Sequence, residues 1–178
     1  MVYNRLWKRG MSMFVIKKLD TVNEIQKLAR LAEVIWHEHF PGLISQEQID
    51  YMVARFQSEP AIRDQLENKG YTYFLGYVDD ELVGYCGVCP EQDTKRLFLS
   101  KLYIRKDQRG HGYARQLFNQ AIALARTMDM QAIYLTCNKF NEHSLAVYDQ
   151  MGFRTIDAVQ TEIGEGFIMD DYIMQYDL

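Results

Sequence analysis

The chain has 178 residues, with Lys+Arg 20 against Asp+Glu 24 for a formal net charge of −4, and is 48% hydrophobic and 25% charged. These proportions are close to those of an average soluble globular domain and exclude a disordered or fibrous chain. A chain of this length buries enough apolar surface to fold around one core, so the expectation is a single domain over residues 1–178 that needs neither a metal nor a disulfide as a staple.

No apolar run approaches the roughly 18–20 residues of a membrane span, and the N-terminus lacks the apolar stretch of a secretory signal, so a cytoplasmic protein is expected. Met11 and Met13 offer alternative starts, and residues 1–12 are read as a flexible N-terminal extension. The cysteines Cys86, Cys89 and Cys137 are odd in number and are expected as reduced thiols. Cys86 and Cys89 have CxxC spacing, but in a strand residues three apart point to opposite faces, and no second pair completes a zinc site. His37 and His39 fail as a metal pair for a similar reason: positions i and i+2 diverge on a helix. No metal is expected. The isoelectric point near 5.6 and the absence of a basic patch argue against nucleic acid as a partner.

In chain order, a short strand near Met13–Lys17 comes first. Thr21-Val22-Asn23-Glu24 has the form of a capping box, and Ile25, Leu28, Ala32, Ile35 and Trp36 follow at the spacing of an amphipathic helix that Pro41-Gly42 stops. Ser45 caps a second helix carrying Ile49, Met52, Val53 and Phe56 on one side, and Pro60 opens a third that ends at Gly70. Tyr71–Val78, an Asp79-Asp80 turn, Leu82–Val88 and Leu97–Ile104 then read as an antiparallel meander. A helix from Tyr113 to Met128 leads into an apolar strand at Ala132–Cys137, and a strand–helix–strand unit of this size implies a parallel pair. A helix over Glu142–Gln150, closed by Gly152, precedes two strands near Phe153–Val159 and Phe167–Tyr176. The fold class is therefore α/β.

The stretch Arg109-Gly110-His111-Gly112-Tyr113-Ala114 lies between a strand and a helix. Two glycines let the backbone turn sharply, and the first helical turn aims free N–H groups outward at the positive end of the helix dipole. No acid occupies that turn, while Arg109, His111 and Arg115 add positive charge, so the loop reads as a phosphate cradle. It is neither a P-loop, which needs Gly-Lys-Ser/Thr, nor a dinucleotide fingerprint, which needs a third glycine and a later acid.

This loop resembles the acetyl-CoA signature of the GNAT superfamily of N-acetyltransferases. Leu99–Ile104, Ala132–Cys137, Asn138, Asn141, Ala146-Val147-Tyr148 and Met151-Gly152-Phe153 are similar, in order, to the strand before that signature and to the strand, asparagines, helical tyrosine and Gly-Phe turn after it. The resemblance covers more than half the chain. It implies a mixed, mostly antiparallel sheet with one parallel splayed pair and helices on both faces. It also implies acetyl-CoA as cosubstrate: Arg109, Gly110, His111, Gly112, Tyr113 and Ala114 on the pyrophosphate, and Leu102, Tyr103, Ile104, Asn138 and Asn141 along the pantetheine arm. Tyr148 matches the tyrosine that protonates the departing thiolate. His37, Glu38 and His39, or water reached through a strand carbonyl, are the candidates for the base, since the strand position that elsewhere holds a glutamate offers Ser100 and Lys101.

The activity implied is acetyl transfer to a primary amine by direct attack in a ternary complex. A polyamine or another small cationic amine suits the acidic stretch Met169-Asp170-Asp171-Tyr172. A peptide or protein amino group is the main rival acceptor, and a catalytically weak acetyl-CoA sensor is an alternative of another class. The expected partners are a small-molecule amine and, as an option for assembly, a second copy in a homodimer, with neither nucleic acid nor membrane.

Overall fold

A computed structural model describes residues 13–178, so the reading of residues 1–12 lies outside the described residues. Among these the elements are β1 (Phe14–Lys18), α1 (Val22–His39), α2 (Gln46–Met52), α3 (Glu59–Asn68), β2 (Thr72–Val78), β3 (Glu81–Glu91), β4 (Arg96–Ile104), α4 (Tyr113–Thr127), β5 (Ala132–Asn138), α5 (Glu142–Met151), β6 (Arg154–Gly164) and β7 (Phe167–Asp177). The strands form one sheet in the order β1-β2-β3-β4-β5-β7-β6. Every neighbouring pair is antiparallel except β4 with β5, which is the mixed sheet the resemblance implied.

Each face of the sheet has its own core. α4 and α5 cover one face through Leu117, Phe118, Ala121, Ala125 and Met151, packed on Cys86, Val88, Leu97, Leu99, Ile133 and Leu135. On the other face α1 and α3 bury Leu28, Ala32, Ile35 and Ile62 against Tyr73, Leu75 and Tyr85. Trp36, Phe40, Ile49 and Met52 form a third cluster there with Tyr103 and Met169. α1 begins where the capping box was read: Thr21 Oγ1 accepts from the Glu24 amide at 3.3 Å, and Glu24 Oε2 accepts from the Thr21 amide at 3.2 Å. Cys86 and Cys89 do face opposite ways, Cys86 into the α4 core and Cys89 toward the Lys69 carbonyl.

Besides β3, which runs on through Pro90 to Glu91 rather than stopping at Val88, three elements differ from the sequence reading. The helix expected to run on through Val53 and Phe56 widens into a π-helical turn, Val53–Gln57. That extra residue per turn buries Gln57, whose Oε1 accepts from Tyr85 Oη at 3.3 Å, a purpose that a 3.6-residue count does not show. β6 runs to Gly164 rather than Val159, joined to β7 by Glu165-Gly166, both at positive φ. Its side chains are mostly exposed on both faces, so backbone pairing to β7 extends it with no apolar alternation to record the fact. In β4, Leu99 pairs with Val88 and Lys101 with Gly87, which leaves Ser100 unpaired as a bulge.

β4 and β5 pair only at Arg96–Ala132, Leu97–Ile133 and Phe98–Tyr134. Beyond the bulge β4 bends away, as a bulged strand does, while β5 stays paired to β7 along its whole length. The result is a V-shaped opening in the middle of the sheet.

β3 and β4 approach closely at the mouth of that opening. A Cβ on Gly84 would lie 2.4 Å from Ile104 Cδ1 and 2.8 Å from the Tyr103 carbonyl oxygen, whereas one on Gly76 would meet only the outer edge of the Phe14 ring, at 2.4 Å. A ring can swing and a ladder carbonyl cannot. Gly84→Ala should therefore destabilise by about 1–3 kcal/mol, as overpacking does, and Gly76→Ala by clearly less; urea unfolding of the two variants checks the order.

Candidate active site

The loop after β4 is built to leave amides free. Gly110 and Gly112 have φ of 83° and 77°, and Gly112 is the N-cap of α4 without a side-chain cap or an acid in the first turn. The amides of residues 110–115 have no hydrogen-bond partner among the described residues. A Cβ on either glycine would meet nothing within 4 Å, so the space over the loop is open. Six free donors at a helix N-terminus fit a pyrophosphate. The cations are less free than the sequence suggested: Arg109 Nε donates to the Ile104 carbonyl at 3.0 Å, and Arg115 bonds the carbonyls of Gln150 and Met151, tying α4 to α5. His111 is exposed and stacks near Tyr113, which in turn stacks on Phe14 at 4.1 Å.

From this loop β4 leads back into the V, with Leu102 and Ile104 on the α4 side and Tyr103 on the α1 side, against Trp36, Phe40 and Tyr85. Asn138 ends β5, and its Oδ1 accepts from the Phe140 amide at 3.0 Å. Asn141 caps α5 by accepting from the Ser144 amide at 3.2 Å, and its Nδ2 donates to His39 Nε2 at 3.1 Å. Tyr148 projects from α5 to Phe153, ring centroids 5.7 Å apart, and its hydroxyl makes no hydrogen bond among the described residues. Burial raises its pKa, helped by nearby Cys137 and Cys86. Burial likewise pushes the Cys137 thiol up to about 12 and Cys86 higher still.

The three residues read as candidates at the end of α1 separate. His37 turns to α2, with Nε2 2.8 Å from Asp50 Oδ1 and Nδ1 2.8 Å from the Glu33 carbonyl; the Asp50 hydrogen bond raises its pKa. Glu38 is exposed. His39 alone reaches across the V to the α5 cap. An amide nitrogen can only donate, so His39 Nε2 is held as an acceptor, and burial with Arg109 and His143 nearby lowers its pKa to about 4.

Two groups were not singled out from the sequence. Lys101 is buried beneath α3, with Nζ 3.3 Å from Gln65 Oε1 and over the Tyr71 and Tyr73 rings, and burial lowers its pKa to about 7. Asp171 on β7 is 6% exposed, on the face shared by its register partner Asn138. It is held by Thr136, yet its Oδ1 has no hydrogen-bond partner among the described residues. Its signal in the sequence was the acidic pair Asp170-Asp171, in which Asp170 instead pairs with Lys139 at the surface.

Comparison with known proteins agrees with this geometry. A model of the acetyltransferase (GNAT) family matches residues 29–153, and the chain belongs to that family, which uses acetyl-CoA. The uncharacterized N-acetyltransferase YjgM of Escherichia coli (strain K12) is 31% identical over 90 residues, 49% of this chain and 54% of that protein, so the match spans about half of this relative's length. The spermine/spermidine N(1)-acetyltransferase of Bacillus subtilis (strain 168) is 26% identical over 62% of this chain and 76% of its own. The PaiA N-acetyltransferase of Thermoplasma acidophilum, solved in complex with coenzyme A, shares the fold with a TM-score of 0.79 at 18% identity, over 93% of this chain and 99% of that one. Among the described residues no helix is long and apolar enough to cross a membrane, and no group of three or more His, Cys, Asp or Glu is arranged to hold a metal ion.

Two outcomes follow from the loop and from His39. Gly112→Val puts a β-branched side chain at positive φ and into the open space, so acetyl-CoA affinity should fall at least tenfold by calorimetry while the domain stays folded. Because the folded pKa of His39 lies below its ordinary 6.5, the unfolded chain binds more protons between about pH 4 and 6.5, and stability drops as pH falls through that window. His39→Gln should shrink the difference in melting temperature between pH 7 and pH 5.

Proposed function

We propose that this chain transfers the acetyl group of acetyl-CoA to a primary amine by direct attack in a ternary complex. The observation that carries the reading is the uncapped amide loop at the end of β4, the strand that leaves β5 to open the V, with Tyr148 close to Tyr103 on that strand. In this reading residues 109–114 hold the pyrophosphate, and the free edge of β4 at Leu102, Tyr103 and Ile104 binds the pantetheine arm as a strand would. Asn138 and Asn141 border the arm. Acetyl-CoA supplies an activated thioester carbonyl.

The chain's own groups then sort the protons. The cysteine thiols stay protonated at neutral pH, so none offers the thiolate that a covalent acetyl-enzyme needs. Tyr148, its pKa raised, is a neutral phenol at pH 7 and can give its proton to sulfur as the C–S bond breaks. An alkyl ammonium with a pKa of about 10.4 is free amine in only about one molecule in two thousand at pH 7, so the site must select or generate that form.

A small cationic amine of the polyamine kind is the acceptor class best supported. Two features support it: the acidic β6–β7 hairpin beside the V, and the named spermine acetyltransferases among the relatives. Thiol release from acetyl-CoA across a panel of polyamines, amino acids and peptides tests the reading, which fails if no amine is turned over. Tyr148→Phe should lower kcat at least tenfold while acetyl-CoA affinity and melting temperature change little, because only the hydroxyl is removed. Near-normal kcat in that variant would reduce Tyr148 to a packing residue.

A further inference from the structure

The V between β4 and β5 lies between the two helical layers, and each face presents a group able to move a proton. Tyr148 stands on the α4–α5 face. On the opposite face, the register of β7 on β5 sets Asp171 beside Asn138, with Thr136 and Ile173 next along the same face. Tyr103 lies between the two, close enough to feel both Tyr148 and Asp171. Two residues before Asp171, Met169 joins the apolar cluster of Trp36, Phe40, Ile49 and Met52, and Gln48 of α2 bonds its sulfur at 3.3 Å. That wall brings no ion partner to Asp171. A carboxylate held this way, 6% exposed and with one oxygen unpartnered, is costly unless a ligand completes it.

We propose that Asp171 is the catalytic base of the acceptor side: its free Oδ1 receives the nitrogen of the acceptor amine and takes the proton that nitrogen loses when the N–C bond forms. This rests on the acetyltransferase reading above and deepens it. The incoming ammonium releases one proton to solvent, and the neutral amine attacks the thioester carbonyl. Asp171 takes one proton from the positively charged nitrogen of the adduct; the C–S bond breaks and sulfur takes the Tyr148 proton. Water then returns the Asp171 proton to Tyr148. The sum is ammonium plus thioester giving amide, thiol and one proton.

The surroundings of Asp171 make it the group that titrates below neutrality. Burial raises its pKa to about 6, with Thr136 and Lys139 opposing and Asp170 assisting. The other ionisable groups near it are Tyr103, raised well above the ordinary phenol range, and Cys137, at about 12. His39, beyond them at the mouth of the V, is held near 4. Asp171 is thus largely ionised at pH 7, and it is lost as a base when pH falls through 6.

Asp171→Asn tests this with spermidine as the amine probe, alongside Asp170→Asn. For the wild type, log kcat/KM should rise with pH with a slope near 2 below about pH 6, where both Asp171 and the amine must lose a proton, and near 1 above it. Asp171→Asn should lose at least a hundredfold in kcat/KM at pH 7.5 and show a slope near 1 throughout. Stability supplies a readout independent of turnover. Because the folded pKa is raised, the ionised carboxylate is a burden above pH 6, so Asp171→Asn should melt at or above the wild-type temperature at pH 8. A merely structural Asp171 would instead give a lower melting temperature with an unchanged pH profile. Asp170→Asn removes a charge already paired with Lys139 and should lose at least tenfold less kcat/KM than Asp171→Asn; equal losses in the two variants would reduce the effect to the general charge of the hairpin and overturn the proposal. Wild-type turnover of spermidine with an unaltered Asp171→Asn profile would also overturn it. Failure of the wild type with every amine would instead sink the acetyltransferase reading itself.

Discussion

The site depends on one irregularity in hydrogen bonding, the unpaired Ser100 in β4. Up to Phe98 the strand is an ordinary central strand, bonded to β3 on one side and to β5 on the other. The bulge bends it, and because β7 holds β5 through residue 138, only β4 leaves. Backbone donors and acceptors in the middle of a sheet are thereby left without a strand partner, between helices packed on both faces. The bulge also resets the faces: Leu99 points to α4, both Ser100 and Lys101 meet the tyrosines beneath α3, and Leu102 and Ile104 return to α4.

Charge around the V is arranged by burial more than by pairing. Lys101 is pushed toward its neutral form, Tyr148 and the cysteines are kept protonated, and His39 is kept neutral, because burial outweighs whatever opposite charge lies near them. The strong ion pairs lie elsewhere, as in Arg105 with Glu81 and Asp107 on the turn after β4, where they brace the loop without entering it. Among the buried groups Asp171 is the exception, since a folded pKa of about 6 leaves it largely ionised at neutral pH. Buried polar groups such as Asn138, Asn141, Lys101 and Asp171 cost stability, and their concentration at one end of the sheet marks where function has displaced packing.

The split fate of adjacent residues shows how far sequence reaches. His37 and His39 are two positions apart on α1; one turns to Asp50 on α2 and the other crosses to Asn141 on α5. Asp170 and Asp171 are neighbours in β7, and strand alternation sends one to Lys139 at the surface and the other into the cleft. Neither division can be read from composition or spacing, because it depends on which element packs over each face.

Sequence alone determined what local chemistry dictates. The capping box at Thr21, the amphipathic spacing of α1 and α4, the glycine turn at Gly110 and Gly112, and the succession of strands and helices along the chain all follow from periodicity and from backbone freedom within a few residues. Tertiary structure decided what depends on partners far along the chain: the bulge opposite Gly87 and Val88, the π turn that buries Gln57 against Tyr85, and the full length of β6, whose exposed side chains leave no apolar pattern. It also decided that Asp171 lies opposite Tyr148 across the opening. That position is set by the pairing of β7 with β5 and by the departure of β4, which are backbone bonds between segments more than thirty residues apart, and side-chain periodicity carries no record of them.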